Sequence, residues 1–153
     1  MNEASTSEKR ILIVEDGDEY ERFARLFLAD ACKLLTAHSA KEALAVLAAK
    51  SADGFLMDLR FDRAPESVLA GDIAGTAERL FGGDRTEAAR YLKEHQGTLI
   101  LAEIRKAGHR ARAVFIHDFP LRRLENLRRL YGDVVSFPSF DAAQIRKVFG
   151  LHP

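Results

Sequence analysis

Five short apolar runs recur along the chain, each followed by a polar stretch whose apolar positions repeat at helical spacing. Arg10 to Val14 is the first run, and Gly17-Asp18 breaks it. Tyr20, Phe23, Ala24, Phe27, Leu28 and Ala31 then recur at three- and four-residue steps, which predicts an amphipathic helix. Lys33 to Ala37 is a second short strand. Ser39 with Glu42 three residues on makes a capping box for a helix whose stripe is Ala40, Ala43, Leu44, Leu47 and Ala48. After the turn at Ser51 to Gly54 comes Phe55-Leu56-Met57-Asp58-Leu59, a buried strand carrying one carboxylate at its end.

The alternation then breaks. Residues 61–97 hold Pro65, Gly71, Gly75, Gly82 and Gly83, and the stretch reads as an insertion. Its length is more than a structureless loop in a compact domain allows. Helices are expected from Ile73 to Phe81 and, capped by Asp84 or Thr86, on to His95. Leu99 to Ala107 is expected to be helical, with Gly108 as its stop. Ala113 to Ile116 is the fourth strand, ending at His117-Asp118. Pro120 opens a helix that Gly132 ends. Val134 to Ser136 is a brief fifth strand followed by Phe137-Pro138, and Asp141 caps a last helix. Apolar strands separated by helices imply a parallel sheet covered on both faces.

With 153 residues, 47% of them hydrophobic and 30% charged, the chain fits one domain with a full core. Its net charge is zero, which argues against non-specific nucleic-acid binding. No apolar run is long enough for a membrane span, and residues 1–8 are polar and expected to fray, without a secretory signal. A single cysteine, Cys32, excludes an internal disulfide, suits a reduced cytoplasmic setting and reads as a small buried hydrophobe.

Chemistry is expected where acids end strands. Ile11 to Val14 runs into Glu15-Asp16, and the central strand ends at Asp58. Side by side, those strands would bring three carboxylates together, and such a cluster of hard oxygen ligands suits Mg²⁺. The alternatives are plainer: Asp58 and Asp118 as turn acids, His117 as a satisfied strand-end histidine, and Arg122, Arg123, Arg128 and Arg129 as a solvated helix face.

In order and spacing these features resemble the receiver domain of two-component response regulators. The acidic pair after Ile11 to Val14, the phosphoacceptor position at Asp58, the fourth strand up to His117, and the fifth strand with its proline turn carry the resemblance. It covers nearly the whole chain apart from the stretch between Asp58 and Gly97. It implies an α/β, flavodoxin-like doubly wound sheet with strand order 2-1-3-4-5. It also implies phosphoryl transfer to Asp58 with Mg²⁺ held by Asp16, Asp58 and the backbone carbonyl of Arg60, and with Glu15 acting through water. Partners would be a sensor histidine kinase or phosphotransfer protein and a downstream protein, with no nucleic acid or membrane bound. The domain would be a self-phosphorylating phosphoacceptor at most, without turnover.

Three positions depart from the pattern. His117 stands where receivers have Thr or Ser, and Phe137 where they have Lys; the fifth-strand aromatic falls at Val134. A protonated His117 would partly restore the lost cation. These departures raise a second reading, a pseudo-receiver that binds partners independently of phosphate. An acid-cluster nuclease or phosphotransferase site would want a second acid two residues after Asp58, where Arg60 stands.

Overall fold

The computed structural model describes residues 8–152, so most of the polar N-terminal stretch expected to fray lies outside the described residues. Five strands form one all-parallel sheet in the order β2-β1-β3-β4-β5: β1 (Arg10–Val14), β2 (Lys33–Ala37), β3 (Gly54–Met57), β4 (Arg112–Ile116) and β5 (Val134–Phe137). The strands read as apolar runs because both faces of the sheet are covered. Leu12, Val14, Phe55, Met57 and Phe115 point to one side and pack with Leu47, Ile100, Leu101 and Ile104. Ile11, Ile13, Leu56 and Val114 point to the other and pack with Ala24, Leu28, Ile145 and Phe149. The first layer is built from α2 (Ala40–Ala49), α5 (Gln96–Lys106) and α6 (Leu121–Tyr131); the second from α1 (Glu19–Phe27) and α7 (Ala142–Phe149).

The capping chemistry is local and mostly as the sequence implies. Ser39 Oγ accepts the Glu42 N–H at 3.1 Å, but the reciprocal Glu42 carboxylate takes the N–H of His38, one residue before the cap. Asp84 and Asp141 accept the Glu87 and Gln144 N–H groups, so Asp84 is the cap that starts α4 (Arg85–Glu94). Asp18 makes no such bond at α1.

Between β3 and α5 the chain forms a 3-10 turn (Glu66–Val68), α3 (Ile73–Leu80) and α4. The expected helices are present, and α5 begins three residues before Leu99. Gln96 is buried, and its amide both accepts the Ala70 N–H and donates to the Ala70 and Leu92 carbonyls. That side chain ties the segment to α5. At the opposite end of α5 the buried Arg105 donates to the carbonyls of His109, Ala111, Tyr131 and Asp133, holding the turns that flank β4 and β5.

Candidate functional site: an acidic pocket at the C-terminal sheet edge

Register determines which strand ends meet. Val14 pairs with Met57 and Met57 with Phe115, which sets Asp58 level with Glu15 on one side and Ile116 on the other. The ladder runs one step beyond the strands, with the Asp58 N–H donating to the Val14 carbonyl at 2.9 Å. Asp58 therefore lies at the C-terminal end of the middle strand, where open α/β sheets gather ligands.

The Asp58 carboxyl is pushed up to about 7. Burial is the largest cause, followed by the negative charge of Asp16; the backbone amides of Arg60 and Leu59 pull it down, and Glu15 adds to the rise. Among the described residues its one side-chain donor is Tyr20, whose hydroxyl stands 3.4 Å from Asp58 Oδ1 and 3.3 Å from the Ile116 carbonyl. One phenolic proton serves one of these acceptors at a time. Helical spacing had placed Tyr20 on the buried face of α1, and it is buried, but its hydroxyl group reaches the site.

The three carboxylates do not converge as equals. Glu15 is 1% exposed and both its oxygens are engaged, accepting the N–H groups of Tyr20 and Glu21 at 2.9 Å each. It thus caps α1, a service Asp18 does not supply, because the first helical N–H groups need partners. Burial holds its carboxyl above the usual range, while those two bonds oppose the rise. The Glu15 carbonyl also faces His38 Nδ1 at 2.9 Å. Among the described residues no group of three or more acid, histidine or cysteine side chains is arranged to hold a metal ion. Asp16 and Asp58 remain, near enough for the charge of Asp16 to raise the Asp58 carboxyl. Mg²⁺ keeps several waters and uses only one or two carboxylates, so this pair suits an open, weak site.

Asp16 has a cationic neighbour of its own. Its side chain is 3% exposed and accepts the Arg63 backbone N–H at 2.9 Å and Arg63 Nη2 at 3.2 Å. Arg63 also pairs with Glu19 at 3.0 and 3.2 Å, holding that carboxyl down to about 2. Neither Arg63 nor Tyr20 stood out as a site residue in the sequence. The first pairs across 47 positions, and the second has an ordinary helical spacing.

Arg60 sends its side chain outward to Asp62 and Glu94. His117 packs its ring 4.7 Å from Phe119, and its pKa is lowered, first by burial and then by the Arg123 charge. That shift disfavours the protonated form of His117, the one that would bring a positive charge here. Phe137 is half-buried against the α1 and α7 layer.

No protein-family profile matches the sequence, and no curated protein matches it. Solved structures do match in fold. The receiver domain of the Francisella response regulator 1452 is 14% identical, with 94% of each chain covered and a TM-score of 0.59. The fold is that of the response-regulator receiver domain. Two further receiver-type structures agree. Chemotaxis protein CheY4 of Vibrio cholerae is 13% identical, with a TM-score of 0.63, over 94% of this chain and 98% of that one. A CheY-like receiver domain protein from Methanospirillum hungatei is 15% identical, with a TM-score of 0.59, over 94% and 92%. Within the receiver fold, Asp58 holds the end of the middle strand. Among the described residues no helix is long and apolar enough to cross a membrane.

Proposed function

We propose that the chain is a receiver-type signalling domain that accepts a phosphoryl group on Asp58 and acts by docking to other proteins. The observation that carries this is a single partly buried carboxylate at the C-terminal end of the middle strand of a receiver fold, beside Asp16 and within reach of Tyr20. In the transfer, an ionised Asp58 oxygen attacks phosphorus and forms a P–O bond. The P–N bond of a phosphohistidine breaks, and its imidazole leaves with the electron pair and takes up a proton. Asp58 becomes an acyl phosphate. Asp16, Asp58 and the Arg60 carbonyl would hold Mg²⁺ together with waters, and the bound cation would supply charge neutralisation for the transferring group. Glu15 acts one step back, keeping the first turn of α1 and therefore Tyr20 in place. The Tyr20 hydroxyl orients Asp58.

The donor would be a sensor histidine kinase or a phosphotransfer protein, and the receiver would act in the cytoplasm on a downstream protein. The whole chain would be one domain, with residues 61–97 as an addition packed beside the phosphoacceptor edge. Transfer of label from a phosphohistidine-bearing protein to wild type, and its loss in Asp58→Asn, tests the reading; equal labelling of both would refute it.

The second reading is a pseudo-receiver whose docking does not depend on phosphate. It is favoured by a His117 whose charged form burial disfavours and by the apolar Phe137, at the two positions that would contact the phosphoryl group. The two readings differ in whether phosphate on Asp58 alters docking.

A further inference from the structure

The acidic pocket has an internal cation. Arg63 approaches Asp16 from the chain that follows Asp58, anchored on either side by the buried Phe61 and Ala64 and by the Phe61 N–H bond to the Lys93 carbonyl at 2.9 Å. Its side chain is 59% exposed, yet the guanidinium meets an aspartate side chain that is almost wholly covered. Nη2 is shared between Asp16 Oδ1 and Glu19 Oε1, and Nη1 goes to Glu19 Oε2. This fork takes up one of the two Asp16 oxygens, while the Arg63 backbone N–H takes the other. Asp16 offers a divalent cation no oxygen free of a hydrogen bond, and the guanidinium adds a repulsive positive charge beside the place where that cation would sit.

We propose that Arg63 is a resident counter-cation that sets the divalent-cation affinity of the pocket, and that Mg²⁺ binding requires its guanidinium to leave Asp16. Glu19 is where the displaced group is retained, since it already holds both terminal nitrogens. The exchange therefore needs a small rotation and no movement of the loop backbone. The proposal rests on the reading of Asp16 and Asp58 as a divalent-cation site.

Mg²⁺ titrations of wild type, Arg63→Ala and Arg63→Lys, followed by amide shifts at Asp16 and Asp58, test it. The melting temperature of each variant is measured without Mg²⁺ to verify folding. Arg63→Ala should bind Mg²⁺ at least about tenfold more tightly than wild type, a change equal to about 1.4 kcal/mol. Arg63→Lys should fall between, because a compact ammonium lacks the fork that spans both acids. If wild type and Arg63→Ala bind alike, or the variant binds more weakly, the proposal is overturned while the cation site stands. If neither produces shifts confined to the pocket, the cation site and the proposal fall together.

Discussion

The Asp58 carboxyl keeps its proton into the neutral range because it is buried beside Asp16 and Glu15, and this has a thermodynamic consequence. With an ordinary value of 3.8 and a folded value of about 7, the folded protein holds a proton that the unfolded chain has already released. The contribution of Asp58 is therefore most favourable below about pH 4, is lost as pH rises toward 7, and is flat above. At about 1.36 kcal/mol per pKa unit the ceiling is about 4 kcal/mol; partial water access reduces the expected effect to about 1–2 kcal/mol. Asp58→Asn should thus stabilise the protein at pH 8 in Mg²⁺-free buffer, with the gain vanishing near pH 4. Urea unfolding at both pH values checks this, and an Asp58→Asn variant less stable at pH 8 would contradict it. At this scale the sequence was informative about residue types and less so about their directions. Asp58 and Asp16 were legible because apolar runs end in them. The turn of Glu15 back onto α1, the reach of the Tyr20 hydroxyl and the protonation state of His117 depend on neighbours brought in by the tertiary fold.

At the scale of elements, one close approach holds the loop after Asp58 in place. The first turn of α5 lies against the backbone of β3's exit: the Gly97 N–H donates to the Leu59 carbonyl at 2.9 Å. A Cβ on Gly97 would collide with the Asp58 carbonyl oxygen, which is backbone and cannot swing aside. Gly97→Ala should destabilise the domain by about 1–3 kcal/mol, the cost typical of overpacking. It should also shift the Asp58 amide resonance. Thermal melting and a heteronuclear NMR spectrum measure both; wild-type stability with an unmoved Asp58 would show that the contact relaxes freely. The strands and helices themselves were readable from period and caps. Gly97 read only as a punctuation mark, because its role as a site of close backbone contact depends on α5 being folded against β3.

For the whole molecule, the parallel sheet and its two helix layers followed from alternating apolar runs, while the strand order came from the resemblance to receivers, which rested on acids at matching strand ends. The remaining question is whether phosphate on Asp58 changes the surface seen by partners. A ligand shifts an equilibrium only through contacts that differ between two states. Burial disfavours a charged His117 and Phe137 is apolar, so a phosphoryl group finds few such contacts there. On the pseudo-receiver reading, Asp58→Asn is therefore expected to retain partner affinity within about tenfold, or about 1.4 kcal/mol, of both untreated and phosphodonor-treated wild type. A larger change in a binding titration would reveal a working switch by another route, with Tyr20 and its edge contact to Phe140 the first place to look. The central claim, that Asp58 accepts phosphate, is tested most directly by intact-mass measurement after incubation with phosphoramidate and Mg²⁺. The account predicts slow gain of a single phosphoryl group by wild type and none by Asp58→Asn. No gain by wild type, or an equal gain by Asp58→Asn, would contradict it.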